Sequence, residues 1–210
     1  MGKWDREVDF DATRQKLSRA YVKAKELEAP KWAADLGVLL VQLSNGSRIG
    51  EAVAAFREWR ETGKRELRVK ALKMGDRLRC QGCGAFFSIR VQGKDRGIRG
   101  HQTATGHEGY TREPNPETRL MILPPEIADG DRGFLTGELV TVEGVRAFCR
   151  RAFDFNTHSL RYSFVSREAE KGTPAQVIAA SIHKSDINGI LRYTEKRIGE
   201  DRLREVVANA

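Results

Sequence analysis

The sequence predicts a mainly helical α+β protein, and three features carry that expectation. Apolar residues recur at helical spacing through the first third and again from Thr141 onward. Two short runs between those regions alternate with the two-residue period of strands. A Gly-rich segment bearing cysteines and histidines separates the two runs.

In chain order, residues 11–28 place Leu17, Ala20, Tyr21, Ala24 and Leu27 on one helical face. Pro30 suits the first turn of a second helix, whose stripe is Trp32, Leu36, Leu39, Leu40 and Leu43. Ser44-Asn45-Gly46-Ser47 ends it with turn chemistry. A third helix follows Arg48, with Ile49, Val53 and Phe56 inward, and closes near Gly63. Leu67, Val69 and Ala71 then alternate with Arg68 and Lys70 as a strand. The second strand-like run, 118–123, stops at Pro124-Pro125. Helices are expected over 141–153, 159–171 and 174–182, the last opened by Thr173-Pro174. A final amphipathic helix over 200–208 carries Leu203, Val206 and Val207 on one face.

The 210 residues suit one domain with a small insertion. A formal net charge of +8 favours a polyanionic partner. Three cysteines, two of them in Cys80-Gln-Gly-Cys83, indicate a reducing compartment and a metal site in place of a disulfide framework. The longest apolar run, 36–43, is too short to span a bilayer. The N-terminus, charged from Lys3, does not read as a signal peptide, so a soluble cytoplasmic protein without membrane association is expected.

Chemistry concentrates at helix starts. Arg48 follows a helix-breaking turn, where backbone N–H groups favour an anion and a guanidinium fork grips two phosphate oxygens. Glu51, three residues on, shares its face and can orient it. His158 and Arg161 stand at i and i+3 on another helix start, a proton carrier beside a second fork. Tyr193 lies 32 positions beyond Arg161. Each residue alone also reads as an ordinary cap or surface group; the combination reads as a phosphoryl-transfer site with a protein nucleophile.

In order and spacing these elements resemble the catalytic domain of tyrosine site-specific recombinases, the phage and archaeal-virus integrase family. Arg48-x-x-Glu51 matches the early arginine box, His158-x-x-Arg161 the His-x-x-Arg box, and 182–193 the closing motif that ends in the nucleophile. The resemblance spans 31–197 apart from the insert. It implies a small antiparallel β-sheet whose hairpin carries a catalytic lysine. Lys73 is the assignment; Lys70, three positions away on the opposite strand face, is the alternative. Lys184, nine residues before Tyr193, takes the family's second-histidine position, with His183 as the substitute.

The resemblance further implies that Tyr193 attacks a phosphodiester to form a 3′-phosphotyrosyl link. Arg48 and Arg161 stabilise the non-bridging oxygens, Lys73 protonates the leaving 5′-oxygen and His158 assists proton transfer. Neither ATP nor a catalytic metal is implied. The expected partners are double-stranded DNA and further copies of the chain on it, four in synapsis. Only 47 residues precede Arg48, so weak, salt-sensitive DNA binding is expected of this chain alone. Two other readings share these residues: a type IB topoisomerase-like nicking-closing enzyme, and a zinc-containing DNA-binding protein with a vestigial site. A two-metal nuclease is disfavoured because the sequence has no suitable carboxylate cluster.

The insert, 76–114, holds Cys80-x2-Cys83 and His101-x5-His107 separated by 17 residues. Two thiolates and two imidazoles suit a structural tetrahedral zinc, closed because four protein ligands leave no open position. Gly84 follows the second cysteine as in a zinc knuckle, and Phe86 and Phe87 are candidates for its small core. Arg77, Arg79, Arg90, Lys94, Arg96 and Arg99 make the insert basic, either an added DNA contact or a solvated surface.

Overall fold

The computed structural model describes residues 8–71, 77–88, 96–113, 117–182, 190 and 207. It is mainly helical, with two small sheets. The chain divides into two compact units: Met1–Val69 with Arg119–Ala210, and Lys70–Thr118.

The first unit is built around one buried helix. Helix α1 (Phe10–Glu26) starts where the Asp9 side chain accepts from the Ala12 N–H at 2.6 Å. It buries Phe10, Leu17, Tyr21 and Ala24 along one stripe. Helix α2 (Pro30–Asn45) has Pro30 in its first turn and is buried from Ala33 through Leu43. Its leucines contribute about 1.5–3 kcal/mol each on leaving water, which makes α2 the axis of the core. Trp32 departs from the expected stripe: it sits in the exposed first turn at 36% accessibility. Gly46 ends α2 in the left-handed conformation, φ 55°. Helix α3 (Ile49–Thr62) follows at once and packs Ile49, Val53, Phe56 and Trp59 inward.

Strands β1 (Glu66–Lys70) and β5 (Thr118–Ile122) form a two-stranded sheet. Bonds from Leu123 N–H to the Arg65 carbonyl and from Ala71 N–H to the Glu117 carbonyl show the antiparallel pairing. Leu67 and Val69 face inward from β1, while Arg119 and Met121 do so from β5. A short helix, α5 (Asp131–Leu135), leads to α6 (Val142–Phe153), capped by Thr141 accepting from Gly144 N–H at 3.0 Å. Helix α7 (Thr157–Glu170) is capped by Asn156. Helix α8 (Ala175–Ser181) packs Ile178 and Ala179 with Val165, Ala169, Ile182 and Ile190 in a second small cluster.

The second unit holds a three-stranded antiparallel sheet, with β2 (Arg77–Cys80) between β3 (Phe86–Ser88) and β4 (Tyr110–Glu113). Helix α4 (Arg96–Thr105) lies between β3 and β4 in sequence. The expected insert, 76–114, falls inside this unit. Of the final helix, Val207 is described as helical and is 69% exposed.

Candidate active site and metal centre

The turn between α2 and α3 gathers the first site. Gly46 supplies its left-handed corner, and a Cβ there would stand 2.3 Å from the Phe164 ring of α7, so the close approach of α7 needs glycine. Arg48 becomes the N-cap of α3, and Glu51 supplies the carboxylate half of a capping box, accepting from the Arg48 backbone N–H at 2.9 Å. The same carboxylate accepts from Arg48 Nη1 at 3.0 Å, which orients the guanidinium. Arg48 is only partly exposed, and Glu51 is buried.

Helix α7 is tied to that turn. The Asn156 side chain accepts from the N–H groups of His158 at 2.7 Å and Ser159 at 3.1 Å. This leaves His158 in the first turn, exposed, with its ring edge-on to Tyr162 at 4.9 Å. One turn on, Arg161 is buried and spends its fork on backbone: Nη1 donates to the Gly46 carbonyl at 2.9 Å and Nη2 to the Ile182 carbonyl at 2.8 Å. Burial, and then the nearby charges of Arg48 and Arg119, pull the Arg161 guanidinium down to about 10. A bound anion would relieve that like-charge repulsion.

Two buried residues of this region carried no sequence signal of a site. Arg119 donates to Glu51 Oε2 at 3.0 Å and to the Asn45 carbonyl. Gln42 donates to the Ser47 carbonyl at 3.2 Å and the Thr157 carbonyl at 2.8 Å, bridging the turn to the start of α7. Arg119 shares the buried face of β5 with Met121. Lys70 points to the exposed face of β1. Lys73, His183, Lys184 and Tyr193 lie outside the described residues.

The remaining tyrosines are engaged elsewhere. Buried Tyr21 donates to Asp131 Oδ2 at 2.9 Å, and burial together with that carboxylate pushes its hydroxyl far above the usual tyrosine range. Tyr110 donates to the His107 carbonyl at 3.3 Å. Cys149 is a buried thiol that donates to the Phe155 carbonyl at 3.3 Å, and burial pushes it up to about 12.

In the second unit, the side-chain ligand atoms of Cys80, Cys83, His101 and His107 all lie within 4.8 Å of one another and could hold a metal ion. Cys80 ends β2, and its carbonyl accepts from Gly84 N–H at 2.9 Å across the turn that carries Cys83. A Cβ on Gly82 would press within 2.8 Å of the His107 ring, so this turn admits the imidazole only as glycine. Burial opposes ionisation of Cys80, but the backbone N–H groups of Cys83 and Gly82 outweigh it and lower the thiol. Phe87 packs on His101 at 5.0 Å and on Tyr110 at 6.0 Å. Phe86, the other expected core ring, is 47% exposed beneath the Arg79 guanidinium. Arg79 also pairs with Glu113 at 3.6 Å. Arg77 lies on β2, Arg96 and Arg99 on α4, and Arg90 and Lys94 outside the described residues.

Among the described residues no helix is long and apolar enough to cross a membrane. No family model matches the chain. No solved structure matches it either. It is 25% identical to a protein of Acidianus two-tailed virus named "Putative integrase ORF241", over 98% of this chain and 69% of that protein. It is also 25% identical to an uncharacterized protein of Methanocaldococcus jannaschii, over 98% of this chain and 89% of that one. The chain is thus similar along nearly its whole length to an archaeal-virus protein named as an integrase.

Proposed function

We infer that the chain is an integrase-type tyrosine recombinase that cuts and rejoins double-stranded DNA through a covalent protein intermediate. The observation that carries this reading is the convergence on Gly46. The turn that contains it delivers Arg48, its carbonyl holds Arg161, and His158 stands one turn before Arg161 on the same helix. Two guanidinium groups and an exposed imidazole suit a phosphodiester, and the likeness to the viral protein points to the same chemistry.

In this reading the Tyr193 oxygen attacks phosphorus and the P–O5′ bond breaks. The 3′-phosphate remains esterified to the tyrosine. Lys73 gives its proton to the departing 5′-oxygen, His158 helps to remove the tyrosine proton, and Lys184 donates a hydrogen bond to a phosphate oxygen. Arg48 and Arg161 stabilise charge on the non-bridging oxygens. The ester conserves the bond energy, so attack by a 5′-hydroxyl of a second duplex restores DNA without ATP or a catalytic metal. Strand exchange requires self-association on DNA, four copies in the synaptic assembly.

The Cys/His unit favours a second reading, a metal-containing DNA-binding protein without cleavage. Trapping on nicked suicide duplexes separates the two. The recombinase reading expects a denaturant-resistant protein–DNA adduct with the wild-type chain and none with Tyr193→Phe. DNA binding without an adduct at any protein concentration, with the metal restored, would favour the second.

A further inference from the structure

The unit Lys70–Thr118 has 49 residues, and its described residues form almost no apolar core. Among its described residues only Ala71 and Cys80 are buried hydrophobics. Its strands are three or four residues long, and of its two adjacent phenylalanines Phe86 is half in water while Phe87 is only partly buried. A unit of this size with so little buried apolar surface does not hold a fold without a staple.

What it has in place of a core is the ligand cluster. One sheet face presents Leu78, Cys80, Phe87 and Tyr110, with Leu78 paired to Phe87 and Cys80 to Tyr110. His101, from α4, sits against Phe87 at 5.0 Å and Tyr110 at 6.3 Å, and His107 lies 5.5 Å from His101. Cys83 comes from the β2–β3 turn. The four ligands therefore come from a strand end, a turn, a helix and a connecting loop, and they converge at one point.

The distances suit an ion at that point. Zinc–sulfur bonds of about 2.3 Å and zinc–nitrogen bonds of about 2.0–2.1 Å, set tetrahedrally, give a sulfur–nitrogen edge of about 3.5 Å. The observed separations are 3.5 Å for Cys80 Sγ to His107 Nδ1, 3.4 Å for Cys83 Sγ to His101 Nε2 and 3.4 Å for Cys80 Sγ to His101 Nε2. A pair of isolated thiol–imidazole hydrogen bonds would account for two contacts but would not require His101 Nε2 to be equally close to both sulfurs.

We propose that one tetrahedral Zn²⁺ bound by Cys80, Cys83, His101 and His107 is the core of the Lys70–Thr118 unit, so that this unit folds only with metal while the other unit folds without it. The proposal stands apart from the recombinase reading, because it concerns what folds the insert and not what the chain does to DNA.

The test uses the full chain. Metal is removed with a chelator and restored as Zn²⁺ alone, and amide hydrogen exchange is followed by segment. Removal is expected to lower protection over 77–88 and 98–113 by roughly a thousandfold or more, reversibly and at one Zn²⁺ per chain, with α1, α2 and α3 unchanged. Co²⁺ in place of zinc should give the spectrum of a tetrahedral thiolate site. Cys83→Ser should lose both effects while keeping α2 protected, and Cys149→Ala should keep one Zn²⁺. Failure to bind stoichiometric zinc, unchanged protection in the insert after stripping, or collapse of α1–α3 together with it would each overturn the proposal.

Discussion

Arg119 reaches from β5 to Glu51 on α3 with a 3.0 Å ion pair, and both side chains are buried, at 2% and 0% exposure. The carboxylate in turn holds Arg48 at 3.0 Å. A strand residue thus supports, through one acidic group, the arginine at the start of α3. Removing one member of a buried pair leaves the other uncompensated. Arg119→Met is therefore expected to cost about 3 kcal/mol of stability. In urea unfolding, the double variant with Glu51→Gln should cost less than the sum of the two single changes. Simple additivity would mean that the pair does not act as a unit.

Glu51 also predicts a pH dependence. Burial raises its pKa, but the Arg48 backbone N–H and the charges of Arg119 and Arg48 outweigh that and hold the carboxyl below the usual glutamate range. A depressed folded value contributes stability that is complete above the unfolded value and is lost as pH falls through the folded one. The stability gap between wild type and Glu51→Gln should therefore narrow on acidification below about pH 4.3. A gap that widens toward acid would contradict the direction assigned to Glu51.

Gly46 has both a left-handed φ of 55° and a neighbour that leaves no room for a Cβ. Gly46→Ala should destabilise by about 2–4 kcal/mol, the sum of backbone strain and overpacking. Phe164→Ala in the same chain should relieve the steric share only, so the strain share persists. Thermal unfolding of Gly46→Ala, Phe164→Ala and the double variant separates the shares.

Arg161 donates to two carbonyls that diverge from its planar fork, Gly46 and Ile182. Lysine cannot reproduce that fork. Arg161→Lys is expected to lower the rate of adduct formation on suicide duplexes by about 10²–10³-fold, the cost of losing one stabilising donor. An unchanged rate would remove Arg161 from the transition state.

Gln42→Leu keeps the volume of a buried side chain and removes its donor from the Ser47 and Thr157 carbonyls. The loss should be about 1–3 kcal/mol, read as a shift in the urea midpoint with unchanged slope.

The placement of Arg48, His158 and Arg161 was legible because helix starts advertise themselves. Asn45-Gly46-Ser47 announced a turn, and Arg48 with Glu51 and His158 with Arg161 stand at spacings that only a helix brings together. The Cys80, Cys83, His101 and His107 set was legible from ligand type and spacing, and its side chains do converge. Arg119 and Gln42 were not legible, because a buried polar residue is recognised by its partner and the partner is remote in sequence. On β5 the apolar residues Leu120 and Ile122 alternate against Arg119 and Met121, so either parity could have been inward. The structure exposes Leu120 and Ile122 at 46% and 49% and buries the arginine, because Glu51 waits for it inside. The three short strands and α4 of the insert were missed because so few of their described side chains are buried that no period emerges.

The pairing of Ala71 N–H with the Glu117 carbonyl at 3.0 Å has a consequence for how such a chain is assembled over evolutionary time. The points where the chain leaves β1 and returns to β5 are neighbours across a ladder. Whatever is spliced between them adds little to the cost of bringing those ends together, since that cost grows only slowly with loop length. The hairpin is therefore a socket. Cassettes of different length and chemistry could be exchanged at this position while α2, Arg48 and Arg161 keep their places.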